Sequence, residues 1–243
     1  MNLALIGYGN MGKEIESLAS EKNISIKKIF TRKNNSLGKG ITKRTLKDVD
    51  ICIEFTAPNQ AYSNIEAIVK CGKNVVCGTT GWLSKMNNVK SLVEKYNVGF
   101  LYAANFSIGV NIFSQVMERA AQLFNKFEEY DVFLNETHHV SKPDSPSGTA
   151  LALASILLEN YSRKKEIISE TAHTILQPYQ LHVSSTRSGQ WIGQHKVVFD
   201  SEADVIELVH TARSRKGYAL GALLAAEWLK DKRGFFTMKD VLQ

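Results

Sequence analysis

Short apolar runs alternate with amphipathic segments over the first hundred residues of the chain. Two of the amphipathic segments, Met11–Lys22 and Pro58–Lys70, repeat apolar residues at the spacing of a helix that packs one face on a core. Alternating strands and helices predict a doubly wound α/β domain. The apolar runs have the length of buried parallel strands; they are Leu3–Ile6, Ile24–Phe30, Ile51–Phe55, Val75–Cys77 and Val98–Tyr102.

The pattern changes after residue 105, and a second domain of α+β type is predicted over 106–215. Three of its strands follow one another without a helix between them, so its sheet should be mixed or antiparallel. A last helix, Tyr218–Lys230, is apolar on one face, and we expect the segment 216–243 to pack back on the first domain, 1–105. The predicted helices and strands of the second domain are Ile108–Phe127, Asp131–Thr137, Thr149–Asn160, Leu181–Thr186, Gln194–Phe199 and Asp204–Thr211.

Composition narrows the class of protein further. The chain has 243 residues, 44% of them hydrophobic, and no apolar run approaches the length that spans a bilayer. The first strand begins almost at Met1, which leaves no room for a leader segment, and the three cysteines lie in apolar runs. We therefore expect a cytoplasmic protein with buried thiols and no membrane partner.

The net charge of +6 is concentrated in one stretch, because Lys22–Lys47 contains nine basic residues and no acid. A nucleic-acid groove would need aromatic side chains among these charges, and Phe30 is the single one in the stretch. A solvated face or a small phosphate site fits the pattern better. No nucleic-acid partner is expected.

The sequence Gly7-Tyr8-Gly9-Asn10-Met11-Gly12 has the spacing G-x-G-x-x-G, directly after the first strand and at the start of a helix. Glycines at these positions allow a tight turn and let backbone N–H groups approach a pyrophosphate at the positive end of the helix. This context predicts a Rossmann-type dinucleotide-binding domain.

The end of the second strand is the usual place for the carboxylate that binds the ribose 2′-hydroxyl of NAD. The residues there are Thr31, Arg32 and Lys33, so two cations and no acid are available. Arg32 could pair with the 2′-phosphate of NADPH, whereas a merely solvated basic loop is the alternative interpretation.

A second group of polar residues, Glu136–Ala150, follows a strand and opens a helix. A histidine suits acid–base work, and a lysine suits an anionic substrate. The N–H groups near Gly148 and Thr149 could bind a carboxylate, although Ser-Gly-Thr is also an ordinary helix cap. His138 and His139 should face opposite sides if the strand continues through both. No further His or Cys stands at ligand spacing nearby in the sequence, so no metal is expected.

This segment matches E-x-H-H-x-x-K-x-D-x-P-S-G-T-A at every fixed position, and the chain resembles the dihydrodipicolinate reductase family. Further stretches of the chain also fit the pattern of this family. At position 31 this sequence has Thr where many members of the family have Glu. These stretches are Gly7–Gly12, Gly78–Gly81, Ala103–Ser107, Arg187–Gly189, Gly193–His195 and Ser214–Arg215.

The resemblance implies NAD(P)H-dependent reduction of 4-hydroxy-tetrahydrodipicolinate to tetrahydrodipicolinate, on the diaminopimelate route to lysine, by a homotetramer assembled through the second-domain sheet. Together with the basic loop it predicts NADPH as the preferred cofactor and NADH as an accepted one. His138 would be the general acid or base and Lys142 a proton donor or carboxylate partner. Another two-domain oxidoreductase of an amino or sugar acid, and a catalytically inactive nucleotide sensor, are the alternatives.

The resemblance also implies which residues bind the ligands. His139, Gly148 and Thr149 would hold the substrate dicarboxylate. The dinucleotide would contact Gly7, Tyr8, Gly9, Asn10, Met11, Arg32, Gly78, Thr79, Thr80, Ala103, Ala104, Asn105 and Phe106.

Overall fold

The computed structural model describes residues 1–169 and 171–243, which form two compact units. Unit 1 contains Met1–Ile108 and Arg215–Gln243, and unit 2 contains Gly109–Ser214. The helices are α1 Asn10–Glu21, α2 Pro58–Lys70, α3 Met86–Tyr96, α4 Ile108–Phe124, α5 Gly148–Asn160, α6 Lys216–Leu229 and α7 Met238–Val241. The strands are β1 Asn2–Ile6, β2 Ser25–Phe30, β3 Ile51–Glu54, β4 Asn74–Cys77, β5 Gly99–Tyr102, β6 Asp131–His138, β7 Glu166–Ile168, β8 Gln180–Arg187, β9 Gly193–Asp200, β10 Val205–Ala212 and β11 Gly234–Phe236.

Unit 1 is built on a parallel sheet with the strand order β11-β5-β4-β3-β1-β2. Helices α1 and α6 cover one face and α2 and α3 the other, so the sheet has an apolar core on each side. This doubly wound arrangement confirms the predicted fold class. The carboxyl ends of β1 and β3 lie side by side, which is where ligands bind in open α/β sheets.

Two expectations for unit 1 were wrong in detail. β2 is an edge strand whose Lys27 and Lys28 are exposed, so it is not the buried strand that its apolar ends suggested. Cys71 is only partly buried, although Cys52 and Cys77 are fully buried and all three are free thiols. The helix Met86–Tyr96 and the short strand Gly234–Phe236 were not predicted, and the latter adds a parallel strand beside β5.

Unit 2 contains a mixed sheet, as the sequence predicted. It has five strands in the order β10-β9-β6-β8-β7, and the edge strand β7 was not predicted. β6 runs antiparallel to β9 and parallel to β8. Helices α4 and α5 pack on one face of this sheet, over a core that includes Met117, Leu134, Leu153 and Phe199. Helix α4 ends at Phe124, three residues earlier than its apolar pattern suggested.

Among the described residues, no helix combines the length and the apolar character that crossing a bilayer requires.

Candidate functional site

Unit 1 has a cavity of about 370 Å³ at the carboxyl ends of its central strands. Three of the expected nucleotide residues, Gly7, Tyr8 and Gly9, line it at one side, and Arg32 lines it at the other. The remaining lining residues, as described in the structure, include no carboxylate; they are Phe30, Thr31, Asn35, Phe55, Thr56, Ala57, Gln60 and Asn64.

The three glycines of the first turn serve different physical purposes. Gly7 has a φ of +97°, and a Cβ there would lie 1.9 Å from the Phe55 carbonyl oxygen, so no other residue fits. A Cβ on Gly12 would lie 2.5 Å from the Gly7 carbonyl oxygen. By contrast, a Cβ on Gly9 would meet nothing within 4 Å. The open space at Gly9, before the N-terminus of α1, fits the backbone approach of a pyrophosphate.

A second cavity, of about 330 Å³, shares Gly9 with the first and extends towards the end of β4. Thr79 is buried and its Oγ1 accepts a hydrogen bond from the Thr56 N–H at 2.7 Å, which fixes the loop. A Cβ on Gly78 would lie 2.0 Å from the Phe55 ring, so the loop passes close over that side chain. The predicted nucleotide residues in this cavity are Asn10, Met11, Gly78, Thr79 and Thr80. Together, the two cavities and the open turn fit a dinucleotide.

The loop after β2 is held by its own side chains and leaves Arg32 exposed. The Thr31 N–H donates to Asn34 Oδ1 at 2.7 Å, and the Lys33 N–H donates to Thr31 Oγ1 at 3.3 Å. Asn35 continues the link by donating to Asn64 Oδ1 on α2. The loop therefore has a defined shape, with the Arg32 guanidinium beside the cavity.

The segment Ala103–Phe106 belongs to the core of unit 1 to a greater extent than expected. Ala103 and Phe106 are buried, and the Phe106 ring packs edge-on against Phe55 at 5.6 Å between centroids. Asn105 accepts a hydrogen bond from the Ser107 N–H, and Ala104 is exposed. None of the four lines the two cavities described above, so their contact with a dinucleotide stays a prediction.

In unit 2 the sheet face under α4 and α5 changes from apolar to polar at one end. On β6 the residues of this face are Val132, Leu134, Glu136 and His138. The register places Glu136 opposite Ser185 of β8 and His195 of β9, and His138 opposite Arg187. These residues thereby form one polar cluster, in which Glu136, His138 and His195 are buried and Ser185 and Arg187 are half-buried.

Glu136 is the centre of this cluster and is completely buried. Its Oε1 accepts hydrogen bonds from the Ser147 N–H at 2.9 Å, from Ser185 Oγ at 2.9 Å and from Arg187 Nη2 at 2.8 Å. Desolvation alone would raise its pKa, but these hydrogen bonds outweigh it and the pKa is lowered below its usual range. Glu136 is therefore held in its ionised form.

The two histidines of the cluster are held neutral mainly by burial. The His138 and His195 rings meet edge-on at 5.3 Å between centroids. Desolvation lowers the pKa of His138, with Lys142 and Arg187 adding to the effect and Glu136 opposing it. Desolvation and the neighbouring His138 lower the pKa of His195 to about 4.

Lys142 lies in the loop that follows β6, and its Nζ contacts both carboxylate oxygens of Asp144 at 2.7 and 2.9 Å. The Asp144 carboxylate also accepts a backbone hydrogen bond from Gly148, and its pKa is lowered although desolvation opposes this. Arg187 Nη2 donates to the Asp144 carbonyl oxygen at 2.6 Å, which anchors the loop. A resident carboxylate thus occupies two of the groups predicted to bind the substrate anion.

The remaining expected residues lie around the start of α5. Strand β6 ends at His138, and His139, partly exposed, contacts Ser141 Oγ through Nδ1 at 2.9 Å. The N-cap of α5 is Ser147, whose hydroxyl accepts from the Ala150 N–H, so the helix-cap interpretation is right for this serine. Gly148 and Thr149 form the first turn of the helix, and a Cβ on Gly148 would meet nothing within 4 Å.

The metal expectation considered only neighbours along the sequence, and the structure brings His195 from β9 to lie beside His138. One ligand-type atom each from Glu136, His138 and His195 lies within 4.8 Å of the others. The Arg187 guanidinium on the same carboxylate and the Ser147 hydroxyl 3.3 Å from His195 Nε2 account for this cluster as a hydrogen-bonded network. The absence of a metal remains a prediction.

Sequence reasoning assigned no role to the side chains that surround His138. The i, i+2 spacing of polar residues at the ends of otherwise apolar strands was a signal for them. The sequence pattern alone does not show which strands pair with each other. The residues in question are Glu136, Ser147, Ser185, Arg187 and His195.

The glycine-rich turn on a doubly wound sheet, together with the polar cluster on a separate mixed sheet, defines the class of two-domain pyridine-nucleotide-dependent oxidoreductases. Two family profiles match the chain: "Dihydrodipicolinate reductase, N-terminus" over residues 1–106 and "Dihydrodipicolinate reductase, C-terminus" over residues 109–242. The chain belongs to the dihydrodipicolinate reductase family.

Individual relatives agree with this assignment. The chain is 41% identical to the 4-hydroxy-tetrahydrodipicolinate reductase of Christiangramia forsetii, over all of this chain and 98% of the relative. It is 36% identical to the enzyme of that name from Zymomonas mobilis, over all of this chain and 97% of the relative. A solved dipicolinate-bound dihydrodipicolinate reductase from Paenisporosarcina sp. has the same fold, with a TM-score of 0.79, 20% identity, and coverage of 99% of this chain and 98% of that one.

Proposed function

We infer that this protein catalyses the NAD(P)H-dependent reduction of 4-hydroxy-tetrahydrodipicolinate to tetrahydrodipicolinate, in the diaminopimelate route to lysine. The observation that carries this inference is the arrangement of His138, Lys142 and the N-terminus of α5 at one end of the unit 2 sheet. Full-length relatives named for this reaction support it.

The substrate is a cyclic imine with two carboxylates, so the chain must supply positive charge and a proton. Lys142 supplies a cation and hydrogen-bond donors, and His138 supplies a titratable ring at the end of β6. The substrate loses its 4-hydroxyl as water to leave a conjugated imine, and a reduced nicotinamide, when bound, would supply the hydride that reduces this imine. Lys142 and His138 stabilise the electron density that develops on the imine side of the ring and provide the proton that it takes up.

The substrate carboxylates are proposed to bind at His139, Gly148 and Thr149, at the positive end of α5. Asp144 now contacts the Gly148 backbone and Lys142, so a substrate carboxylate would replace it there. The exchange of one carboxylate for another leaves the number of charge-assisted contacts unchanged, and it allows Lys142 to turn towards the substrate.

We propose that NADPH is preferred over NADH and that both are accepted. Arg32 lines the first cavity, and the described lining residues include no acid that would accept from a ribose 2′-hydroxyl. An exposed arginine beside the cavity favours the cofactor with the additional phosphate.

We also propose a cytoplasmic homotetramer assembled through the open face of the unit 2 sheet. Three large apolar side chains on this face of the sheet are substantially exposed, namely Phe133 at 39%, Val205 at 52% and Val209 at 48%. Contacts with further copies would cover them. Sedimentation of the wild type and of Val209→Lys tests this, because the charged variant should dissociate; a wild-type monomer contradicts it.

The reaction is tested by mixing the enzyme with NADPH and the condensation product of pyruvate and aspartate semialdehyde, and following the absorbance of reduced nicotinamide. Oxidation that requires both the condensation product and the enzyme is expected. A reaction without the condensation product controls for direct oxidation. No turnover with NADPH or NADH would contradict the assignment.

A further inference from the structure

The Glu136 carboxylate is hydrogen-bonded through only one of its two oxygens in the described part of the chain. All three of its hydrogen bonds, from Ser147, Ser185 and Arg187, are made to Oε1. Oε2 is buried and has no hydrogen-bond partner among the described residues. A buried carboxylate oxygen without a hydrogen-bond donor costs free energy. The groups around Oε2 therefore indicate which one donates to it.

Oε2 faces the two histidines. It lies 3.2 Å from His138 Nδ1 and 3.8 Å from His195 Nε2. His138 Nδ1 is likewise buried without a hydrogen-bond partner in the described part of the chain. His195 Nε2 already lies 3.3 Å from the Ser147 hydroxyl, so the closest unsatisfied partner of Oε2 is His138 Nδ1.

The other edge of the His138 ring lies beside Gly193 of β9. A Cβ added to Gly193 would come within 2.9 Å of His138 Nε2, so a side chain at this position would cover this nitrogen or displace the ring. Nδ1 therefore faces the Glu136 carboxylate, and the missing side chain of Gly193 leaves space beside Nε2.

We propose that Glu136 is a positioning residue that accepts the Nδ1 proton of His138 and thereby makes Nε2 the nitrogen that exchanges a proton with the substrate. This inference rests on the proposed function for its catalytic consequence. Arg187 and the Ser147 N–H hold the carboxylate in place, and His195 closes the remaining side. Only a proton moves in this scheme: the protonated ring gives the Nε2 proton to the substrate while Nδ1 keeps its own, and the resulting neutral ring regains a proton at Nε2 from water.

The charged and titratable groups around His138 fix the sign of the expected pH effect. They are Glu136 on β6, Arg187 on β8, His195 on β9, and Lys142 and Asp144 in the loop after β6. Glu136 is the anion that most favours the protonated ring, and burial and the cations oppose it. Removal of its charge therefore moves the His138 titration to lower pH.

The decisive variant is Glu136→Gln, which keeps the shape and the acceptor for Ser147, Ser185 and Arg187 but removes the charge. In the free protein, His138 is titrated by NMR with labelled histidine, its signal being assigned by comparison with His138→Gln. We expect a lower His138 pKa and a basic limb of kcat/KM displaced to lower pH. The value of kcat should fall roughly 10- to 100-fold, part of what acid–base assistance supplies, with KM for NADPH unchanged. Glu66→Gln, on α2 of unit 1 and paired with Lys70, also removes one paired glutamate charge; it is the control and should change none of these.

The tautomer of His138 is measured in the wild type, so this test does not depend on whether a variant folds. Its neutral ring should carry the proton on Nδ1; a proton on Nε2 would overturn the proposal, as would an unchanged His138 titration in Glu136→Gln. The titration uses the free protein, so its outcome is separate from the reaction test. Absence of turnover by the wild type would remove the proposed function and leave the Glu136–His138 contact still measurable.

Discussion

Among the described residues, each unit contains one completely buried glutamate at or near the carboxyl end of a strand, and the two differ in charge state. Glu54, on β3 of unit 1, has neutral neighbours only: Thr56, Asn64, Thr79 and Cys77. Desolvation therefore dominates and raises its pKa. Glu136, in unit 2, has Arg187 on one oxygen and its pKa is lowered.

Under the proposed function, this difference follows from how the two sites would recognise their ligands. The nucleotide surface of unit 1 is built from glycines, backbone N–H groups and one exposed arginine, and a buried anion beside it would repel phosphates. The site in unit 2 is built from charged and titratable side chains on three strands and a loop, and in the proposed scheme an ionised carboxylate orients its histidine. Recognition in the first site would depend mainly on the shape of the backbone, and recognition in the second mainly on side-chain charge.

The largest expected effect concerns the charged site. Lys142→Ala should lower kcat by about 10²–10³-fold and raise KM less, because its charge matters most when negative charge develops on the substrate. His138→Gln should behave similarly. Steady-state kinetics with the condensed substrate measures both. An increase in KM with kcat unchanged would mean that Lys142 binds the ground state only.

Next in size is a pair of glycine variants that separates the fold of unit 1 from its ligand binding. Gly7→Ala should lower the free energy of unfolding by about 3 kcal/mol or more, because its φ is +97° and its Cβ would meet the Phe55 carbonyl oxygen. Gly9→Ala has open space and a φ of −83°, so it should fold normally and bind NADPH more weakly. Thermal unfolding and dinucleotide titration distinguish them; equal melting temperatures for the two variants would refute this division of roles.

The cofactor preference should be about 5- to 30-fold in kcat/KM in favour of NADPH, the size of one screened charge-assisted contact. Arg32→Ala should remove most of it while leaving NADH nearly unaffected, and Thr31→Glu should shift the preference towards NADH. Added salt should shrink the difference in the wild type. If Arg32→Ala changes neither cofactor at low salt, the loop does not recognise the 2′ position.

A few-fold effect is expected from Asp144→Asn, which frees Lys142 and the Gly148 N–H from their resident carboxylate. Pyridine-2,6-dicarboxylate should then inhibit at several-fold lower concentration, because it no longer competes with a side chain. Inhibition constants at constant ionic strength measure this. Weaker inhibition would show instead that Asp144 is needed to orient Lys142.

The smallest effect tests the two glutamates against each other. At pH 7, Glu54→Gln should leave the free energy of unfolding within about 1 kcal/mol of the wild type, because an amide avoids ionising a buried carboxyl. Its raised pKa makes wild-type stability fall as pH rises above the ordinary glutamate range, and the variant should lose this slope. Glu136, with a lowered pKa, stabilises above that range and loses its contribution on acidification. Denaturant unfolding of Glu54→Gln and Glu136→Gln from pH 4 to 8 measures how the free energy of unfolding depends on pH. A change of this dependence in the same direction in both variants would contradict the comparison.

Features that depend only on neighbouring residues could be predicted from the sequence. The glycine spacing after β1, the amphipathic helices of unit 1 and the polar residues that open α5 are local patterns with local causes, such as a positive φ at Gly7 or a side-chain cap at Ser147. The parallel and the mixed sheet followed from the order of strands and helices.

Contacts between residues that are distant in the sequence depend on how the strands pair and pack in the folded protein. Arg187 lies 51 residues from Glu136 along the chain, and its position beside that carboxylate is set by the register of β8 against β6. His195 reaches the same carboxylate through β9, and Phe106 is core because its ring packs on Phe55. Strand register between distant segments is fixed by the packing of a whole sheet face, because a slip of one residue would turn every side chain to the other side.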